Sequence, residues 1–527
     1  MHRYLNPALR HALGAFGLTL LAQAVHAAPA DHTLSVGLNA DIRSTQPGVN
    51  RDENTDAVIL HVVEGLVALR EDASVGPLLA RSVDVSEDGT VYTFHLRDGV
   101  KFHNGATLSS DQVKWTWQHY LDPKTQWRCL PEFDGRGGAK IVDIATPDPL
   151  TVVFRIDQPN GLFLTSMART DCGGGGILHP DSLAADGSWK SPVGTGPFTL
   201  GDWRRGQYIE LQRFEGYSAR EEGKPDGYTG GKQALAERVR FVVIPEAASA
   251  KAALLSHGVD LLPDVTAMDA AELKAHSGLS TSVSPIMAIC GLLFQTRDPL
   301  LRDVRIRRAI ALSLDYVQMV NALSNGMSEP NNSAIPQTSQ YYSAAAKQGY
   351  RQNADEARRL LAEAGYHGQP ITMLVNKRYQ QMFDMGVLSQ AMAQTVGLNI
   401  QMETLEWGTQ LERYQSGNYQ MMSFSYSARL DPALSFDSLM GDKGKEPRKV
   451  WDNPQAQSLL REAVREADTG KRQALFDRLH GMMIDEVPMV IIYNGTTIGA
   501  FRNDLEGYRS WPVAKPRLWG VKLAAWK

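Results

Sequence analysis

The sequence predicts an α/β protein of more than one domain, and three observations lead to that expectation. At 527 residues the chain exceeds what one hydrophobic core can organise, so two or three domains are expected. Before about Ser280 it is rich in strands and hairpins, and beyond that point short strands alternate with amphipathic helices. Such alternation is the pattern of a doubly wound α/β lobe.

In chain order, residues 34–39 read as a strand, and residues 90–96 alternate as a second one. Asn104-Gly105 supplies the positive-φ positions of a tight turn. Ser109 is then a helix N-cap with Gln112 as its reciprocal partner, and Val113, Trp115, Trp117 and Tyr120 are read as packing residues of that helix. Strands at 141–144 and 151–156 flank the turn Thr146-Pro147-Asp148-Pro149, and 208–213 alternates again. In the second half Asn353 or Asp355 caps a helix whose Ala357, Leu360, Leu361 and Ala364 share one face, with Gly365 as its stop. A strand at 371–375, a helix at about 383–396 ended by Gly397, a strand at 398–405, another helix and a strand at 420–425 follow. No repeat and no Gly/Ser-rich tether interrupts this order, which suits lobes joined by short hinge strands.

Composition removes several classes of function. Hydrophobic residues make up 43% of the chain, as in an ordinary soluble protein, and a net charge of −4 provides no footprint for nucleic acid. Residues 1–27 carry Arg3 and Arg10, an apolar run at 12–25 and the small-residue site Val25-His26-Ala27. That is the pattern of a secretory signal peptide, with cleavage expected after Ala27. Its apolar run is short for a bilayer span and no cysteine stands near the cleavage point, so the mature protein is expected free in the periplasm, without lipid anchor or stable membrane insertion.

Motifs that carry chemistry are missing. The chain has no Gly-x-Ser-x-Gly elbow, His-Glu-x-x-His pair, Cys-x-x-Cys or phosphate-binding Gly-x-x-x-x-Gly-Lys-Ser/Thr. Gly194-Thr195-Gly196 is followed by Pro197 and reads as a tight turn into a strand at Phe198, and Gly173 to Gly176 reads as a surface loop beside Cys172. His103, His119 and His179 lack ligand spacing. No catalytic residue, metal or cofactor is predicted.

The segment LARSVDVSEDGTVYTFHLRDGVKFHNGATLSSDQV (79–113) resembles the signature of the large periplasmic solute-binding proteins of the peptide/nickel class, family 5, which serve ABC importers. The resemblance continues through VGTGPF (193–198), IPEAASAKAALLSHGVDLL (244–262), LRDVRIRRAIALSLDYVQMV (301–320), ADEARRLLAEAGY (354–366) and Leu430-Asp431-Pro432. It implies a two-lobed periplasmic-binding-protein fold of type II, large cluster: lobe one from 28–285 and 491–527, with an extra strand-rich subdomain at about 70–190, and lobe two from 286–490. The crossings are expected near 284–295 and 490–493. The implied function is capture of a small peptide or a peptide-like polar or anionic solute between two closing lobes, by a monomer that delivers it to a membrane ABC permease. A metal chelate, haem or opine-like ligand, a periplasmic hydrolase and a purely signalling receptor are the alternatives. Of the three cysteines, Cys129 and Cys172 fall in one insertion of the first lobe and are the favoured disulfide, with Cys290 left as a buried thiol.

Ligands of open α/β lobes meet the loops beyond the carboxyl ends of parallel strands. Three loops are therefore candidates: one with Asp41 and Arg43, one with Lys377, Arg378 and Tyr379, and one with Tyr426, Ser427, Ala428 and Arg429, beside Trp407. Peptide-binding members of the resembled family place an aromatic residue in the third loop and, three positions later, an Asp for the ligand's α-amino group. Tyr426 matches the aromatic, but Arg429 stands where the Asp would be. A guanidinium there suits a carboxylate or another acceptor-rich group, unless Arg429 serves only to pair with Asp431 or Asp437. Lys377 or Arg378 matches the cation those relatives use for a ligand carboxylate.

Overall fold

The computed structural model describes residues 32–136, 138–221, 223–377, 379–466 and 468–526. The signal peptide expected at 1–27 lies outside the described residues, as does Arg378.

Two sheets divide the chain. The larger has the order Leu279–Pro285, Thr496–Arg502, Leu261–Leu262, Thr33–Leu38, Arg238–Val243, Tyr208–Arg213, Phe198–Arg204. Thr33–Leu38 lies at its centre, parallel to Arg238–Val243 on one side and to Leu261–Leu262 on the other. The smaller sheet has the order Ile400–Thr404, Ile371–Val375, Met421–Tyr426, Ile289–Phe294, Met489–Tyr493. Its helices Ala354–Glu363, Gln380–Gln394 and Trp407–Ser416 alternate with its strands, so the fold is α/β and two-lobed.

Local chemistry places these elements. Ser109 and Gln112 form the reciprocal capping box of helix Ser110–Leu121. Asn353 caps Ala354–Glu363 through Glu356 N, and Gly365 and Gly397 adopt the positive φ that ends the helices before them. The second sheet is buried on both faces, as a doubly wound sheet must be. Leu292, Phe294, Met373 and Val490 face one core, while Ile289, Leu293, Met422, Phe424 and Ile491 face another.

A four-stranded antiparallel sheet, Ala80–Val85, Val91–Leu96, Thr151–Ile156 and Ile141–Asp148 in register order, forms the strand-rich part of the first lobe. Trp117 is buried against Trp127, Phe133 and Phe154 beneath it. Cys129 and Cys172 form a disulfide with a Cα–Cα separation of 5.5 Å, and Cys290 is a buried free thiol.

Two expectations need correction. Gly173 to Gly176 is not a surface loop: Gly173, Gly175 and Gly176 are buried, and a Cβ at Gly173 would stand 2.5 Å from Pro47. The segment is glycine-rich because it is a close approach of backbone to core. The division expected at 490/491 also moves, since Met489–Tyr493 is hydrogen-bonded to Ile289–Phe294 and cannot be split between lobes. The chain changes sheet at 286–288 on the way out and at Asn494-Gly495 on the way back.

Candidate functional site

The two crossings run side by side. Ile286 N donates to Gly495 O at 3.2 Å, and the buried Asn494 amide donates to Ala288 O at 2.8 Å while its Oδ1 accepts from Asn331 Nδ2 at 2.8 Å. Gly495 takes φ +78° at the return crossing. The third loop is anchored here too: Arg429 N donates to Met287 O at 3.0 Å.

Each candidate side chain has a definite place. Asp41 accepts from Trp203 Nε1 at 2.9 Å and Gly206 N at 2.8 Å, so both of its oxygens hold a turn of lobe one. Arg43 is exposed, and its backbone N donates to Thr55 Oγ1. Lys377 is exposed and its Nζ sits 5.3 Å from the centroid of Phe383, drawn along its own loop towards the following helix. Asn376, fully buried, fixes that loop by accepting from Tyr379 N and donating to Gln410 Oε1.

An aromatic row runs from this loop into lobe two. Tyr379, 43% exposed, meets Trp407 edge-on at 5.0 Å, and Trp407 stacks on Phe424 at 5.8 Å. Tyr426 ends the row. It is only 6% exposed, packs on Phe424 and places its OH 3.3 Å from Tyr414 OH. Tyr426 therefore faces the core instead of the open loop, because residues 424 and 426 share the side of the strand that helix Trp407–Ser416 covers. Ser427 and Ala428, just beyond the strand, are exposed.

Arg429 is half-buried and its Nη1 donates to the carbonyls of Ser427 and Ala428 at 3.0 and 3.2 Å. It pairs with neither Asp431 nor Asp437. Asp431 instead forms a buried two-point ion pair with Arg472, at 2.7 and 2.9 Å. Burial lowers the pKa of Arg429, Arg169 of lobe one lowers it further, and Asp171 opposes both. Residues that sequence reasoning did not single out thus stand near it. Burial pushes Asp171 up, but Arg169 and Arg128 outweigh that and hold its carboxyl down at about 2. Next to them, burial raises Asp56 to about 7 against the counter-pull of Arg51.

A cavity of about 400 Å³ lies at the carboxyl ends of Thr33–Leu38 and Arg238–Val243, lined by Asn39, Asn54, Lys251, Asp264 and Asp269 among others. Among the described residues the one grouping of metal-type side chains is Cys129, Asp171 and Cys172, whose two sulfurs are bonded to each other. No helix among the described residues is long and apolar enough to cross a membrane.

Two α/β lobes that exchange the chain through paired crossings, and face each other through exposed loops, form a bilobed solute-binding protein. Residues 74–447 match the family model of the bacterial extracellular solute-binding proteins, family 5 Middle, and the chain belongs to that family. It is 25% identical over 543 residues to the dipeptide-binding protein of Escherichia coli K12, covering 96% of this chain and 97% of the relative. The structure of the periplasmic binding protein DppA from Helicobacter pylori, in complex with the peptide STSA, aligns with a TM-score of 0.69 at 22% identity, over 93% of this chain and 98% of that one. The binding protein AgaA of A. tumefaciens R10, in complex with agropinic acid, aligns with a TM-score of 0.66 at 25% identity, again over 93% and 98%.

Proposed function

We propose that this protein is the extracytoplasmic substrate-binding component of an ABC importer, which captures a small peptide or a peptide-like polar or anionic solute between its lobes and hands it to a membrane permease. The observation that carries this reading is the pair of crossings at 286–288 and Asn494-Gly495, with the third loop tied to Met287 at their mouth. Short paired strands permit rotation about one axis, and a guest touching both lobes stabilises the closed form by its differential affinity. No covalent step is needed. The similarity to a dipeptide-binding protein over nearly the whole of both chains supports a peptide-like guest.

Contact is proposed for Arg429, Ser427 and Ala428 of the third loop, for Lys377 and Tyr379 of the second with Trp407 beside them, and for Arg43 of the first. Arg378 belongs to the second loop by sequence. Asp41 and Tyr426 serve as supports that shape the first and third loops. The chain is read as a periplasmic monomer, exported by the 1–27 signal peptide without a lipid anchor, that performs no catalysis.

Small-angle scattering tests the reading, with a di- and tripeptide mixture and, separately, with solutes recovered from the natively purified protein by mass spectrometry. A fall in the radius of gyration at saturation is expected. An unchanged radius with every bound solute would remove the closing-lobe mechanism. A non-peptide guest is the second reading, favoured by the replacement of an acid by Arg429 and by the similarity to an agropinic-acid-binding protein.

A further inference from the structure

Four strands of the larger sheet run in one direction. Thr33–Leu38, Arg238–Val243 and Leu261–Leu262 are parallel, and Leu279–Pro285 shares their sense because it and Leu261–Leu262 both lie antiparallel to Thr496–Arg502. Leu279–Pro285 passes at its carboxyl end into the crossing at 286–288. The cavity of about 400 Å³ at the carboxyl ends of these strands therefore lies at the end of lobe one that meets lobe two. Its Val265 donates through N to Ile498 O at 2.9 Å. Ile498 is three residues past Gly495 of the return crossing, about 10 Å along the strand.

The lining of this recess is one-sided in its chemistry. Leu38, Ile244, Leu262, Val265 and Leu273 make much of it apolar. Of its two acids, Asp269 is committed: Oδ1 accepts from Lys251 Nζ at 3.1 Å and Oδ2 from Thr266 Oγ1 at 2.8 Å. Lys251, the one cation of the lining, is held again by Glu272 at 2.6 Å. Asp264 is different. Its carboxylate is in reach of solvent and has no hydrogen bond or ion pair among the described residues. The protein around it raises its pKa, and no neighbouring cation opposes the rise.

An ammonium on an apolar body suits such a recess, since it supplies the missing counter-charge to Asp264 and buries its carbon atoms against the lining. A carboxylate would meet two acids and an ammonium already taken. The third loop, with Arg429 in place of an acid, repels an ammonium. We propose that the recess in lobe one receives the α-ammonium end of the guest, with Asp264 as its counter-charge and the first side chain against the apolar lining. The anchor that the third loop lacks is thus supplied by the other lobe. This proposal deepens the solute-binding reading and rests on it.

Calorimetric titration of the full mature protein with three singly charged or uncharged probes tests it. Leucyl-alaninamide carries only the ammonium, N-acetyl-leucyl-alanine only the carboxylate, and N-acetyl-leucyl-alaninamide neither, so the two ends are read separately. Leucyl-alaninamide is expected to bind about tenfold tighter than its acetylated form, the contribution of a charge-assisted hydrogen bond. Asp264→Asn should remove that advantage and leave both acetylated probes within about twofold. Ala250→Phe, which fills the recess without changing its charge, should cost leucyl-alaninamide about tenfold and glycyl-alaninamide no more than about twofold. Equal binding of leucyl-alaninamide and its acetylated form to the unaltered protein would overturn the proposal and leave the peptide-like reading standing. So would an ammonium advantage that survives Asp264→Asn, or an Ala250→Phe variant weakened equally for the leucyl and glycyl probes. Failure of the unaltered protein to bind any of these probes or leucyl-alanine itself would instead overturn the peptide-like reading, and this proposal with it.

Discussion

Asn494 donates its side-chain amide to the carbonyl of Ala288 at 2.8 Å, so a single buried residue ties the outgoing crossing to the returning one. Its Oδ1 accepts from Asn331 and from Gln337 N, which connects both crossings to lobe two.

Asn494→Ala leaves those partners unpaired in a buried place. The expected loss is about 1–3 kcal/mol of stability, read by urea denaturation. A Leu substitution at the exposed Val317, far from the crossings in sequence, serves as the control and should change stability by less than about 0.5 kcal/mol. Equal stability of Asn494→Ala and the unaltered protein would show that the bridge contributes nothing.

Gly161 is one point where a loop of lobe one touches lobe two: its N donates to Val464 O at 2.6 Å. A Cβ there would stand 2.6 Å from Glu466 O and 3.0 Å from Val464 O, backbone atoms of lobe two that would have to give. Gly161→Val is therefore expected to hold the lobes further apart, seen as a larger radius of gyration without ligand. Each lobe should keep its own core. A scattering curve superimposable on that of the unaltered protein would refute this.

Replacing Cys129 and Cys172 by Ser opens a loop with a sequence separation of 43. The chain-entropy cost of losing such a cross-link is about 4 kcal/mol. The unfolding midpoint should fall markedly, and a reducing agent should lower the unaltered protein to the same level while leaving the variant unmoved.

His61 is fully buried among Phe198, Phe241 and Trp519. Burial, followed by the charge of Lys232, lowers its pKa from 6.5 to about 3. The unfolded chain binds that proton first, so the contribution of His61 to stability is present above pH 6.5 and is lost as pH falls towards about 3. Asp56, raised to about 7, works in the opposite sense: the stability it contributes is present at low pH and is lost as pH rises through 7. Comparing His61→Gln with the unaltered protein by denaturant unfolding at pH 7 and pH 5 separates the two. The variant should be less stable at pH 7 and lose less on acidification, by about 2 kcal/mol. Identical pH slopes would exclude His61 as an acid-sensitive group.

Much of the framework was legible in the sequence because it is encoded within a few residues. The Ser109–Gln112 capping box and the positive-φ stops Gly105, Gly365 and Gly397 appear where their patterns place them. The site was legible only as loops. Tyr426 is a candidate contact by its match to the aromatic of the resembled family, yet whether a strand residue faces cleft or core depends on which face the next helix covers. Asp41 is a candidate contact by its place in the first loop, and only the folded chain brings Trp203 and Gly206 to it.

By itself the sequence determined the elements, their order and the reversal of charge at Arg429, since propensity, capping and residue identity are local properties. Only the tertiary structure decided what faces Arg429. Arg169 and Asp171, about 260 residues away in the chain, act on its charge, and an electrostatic effect of this kind depends on distance in space, which the order of residues along the chain does not give.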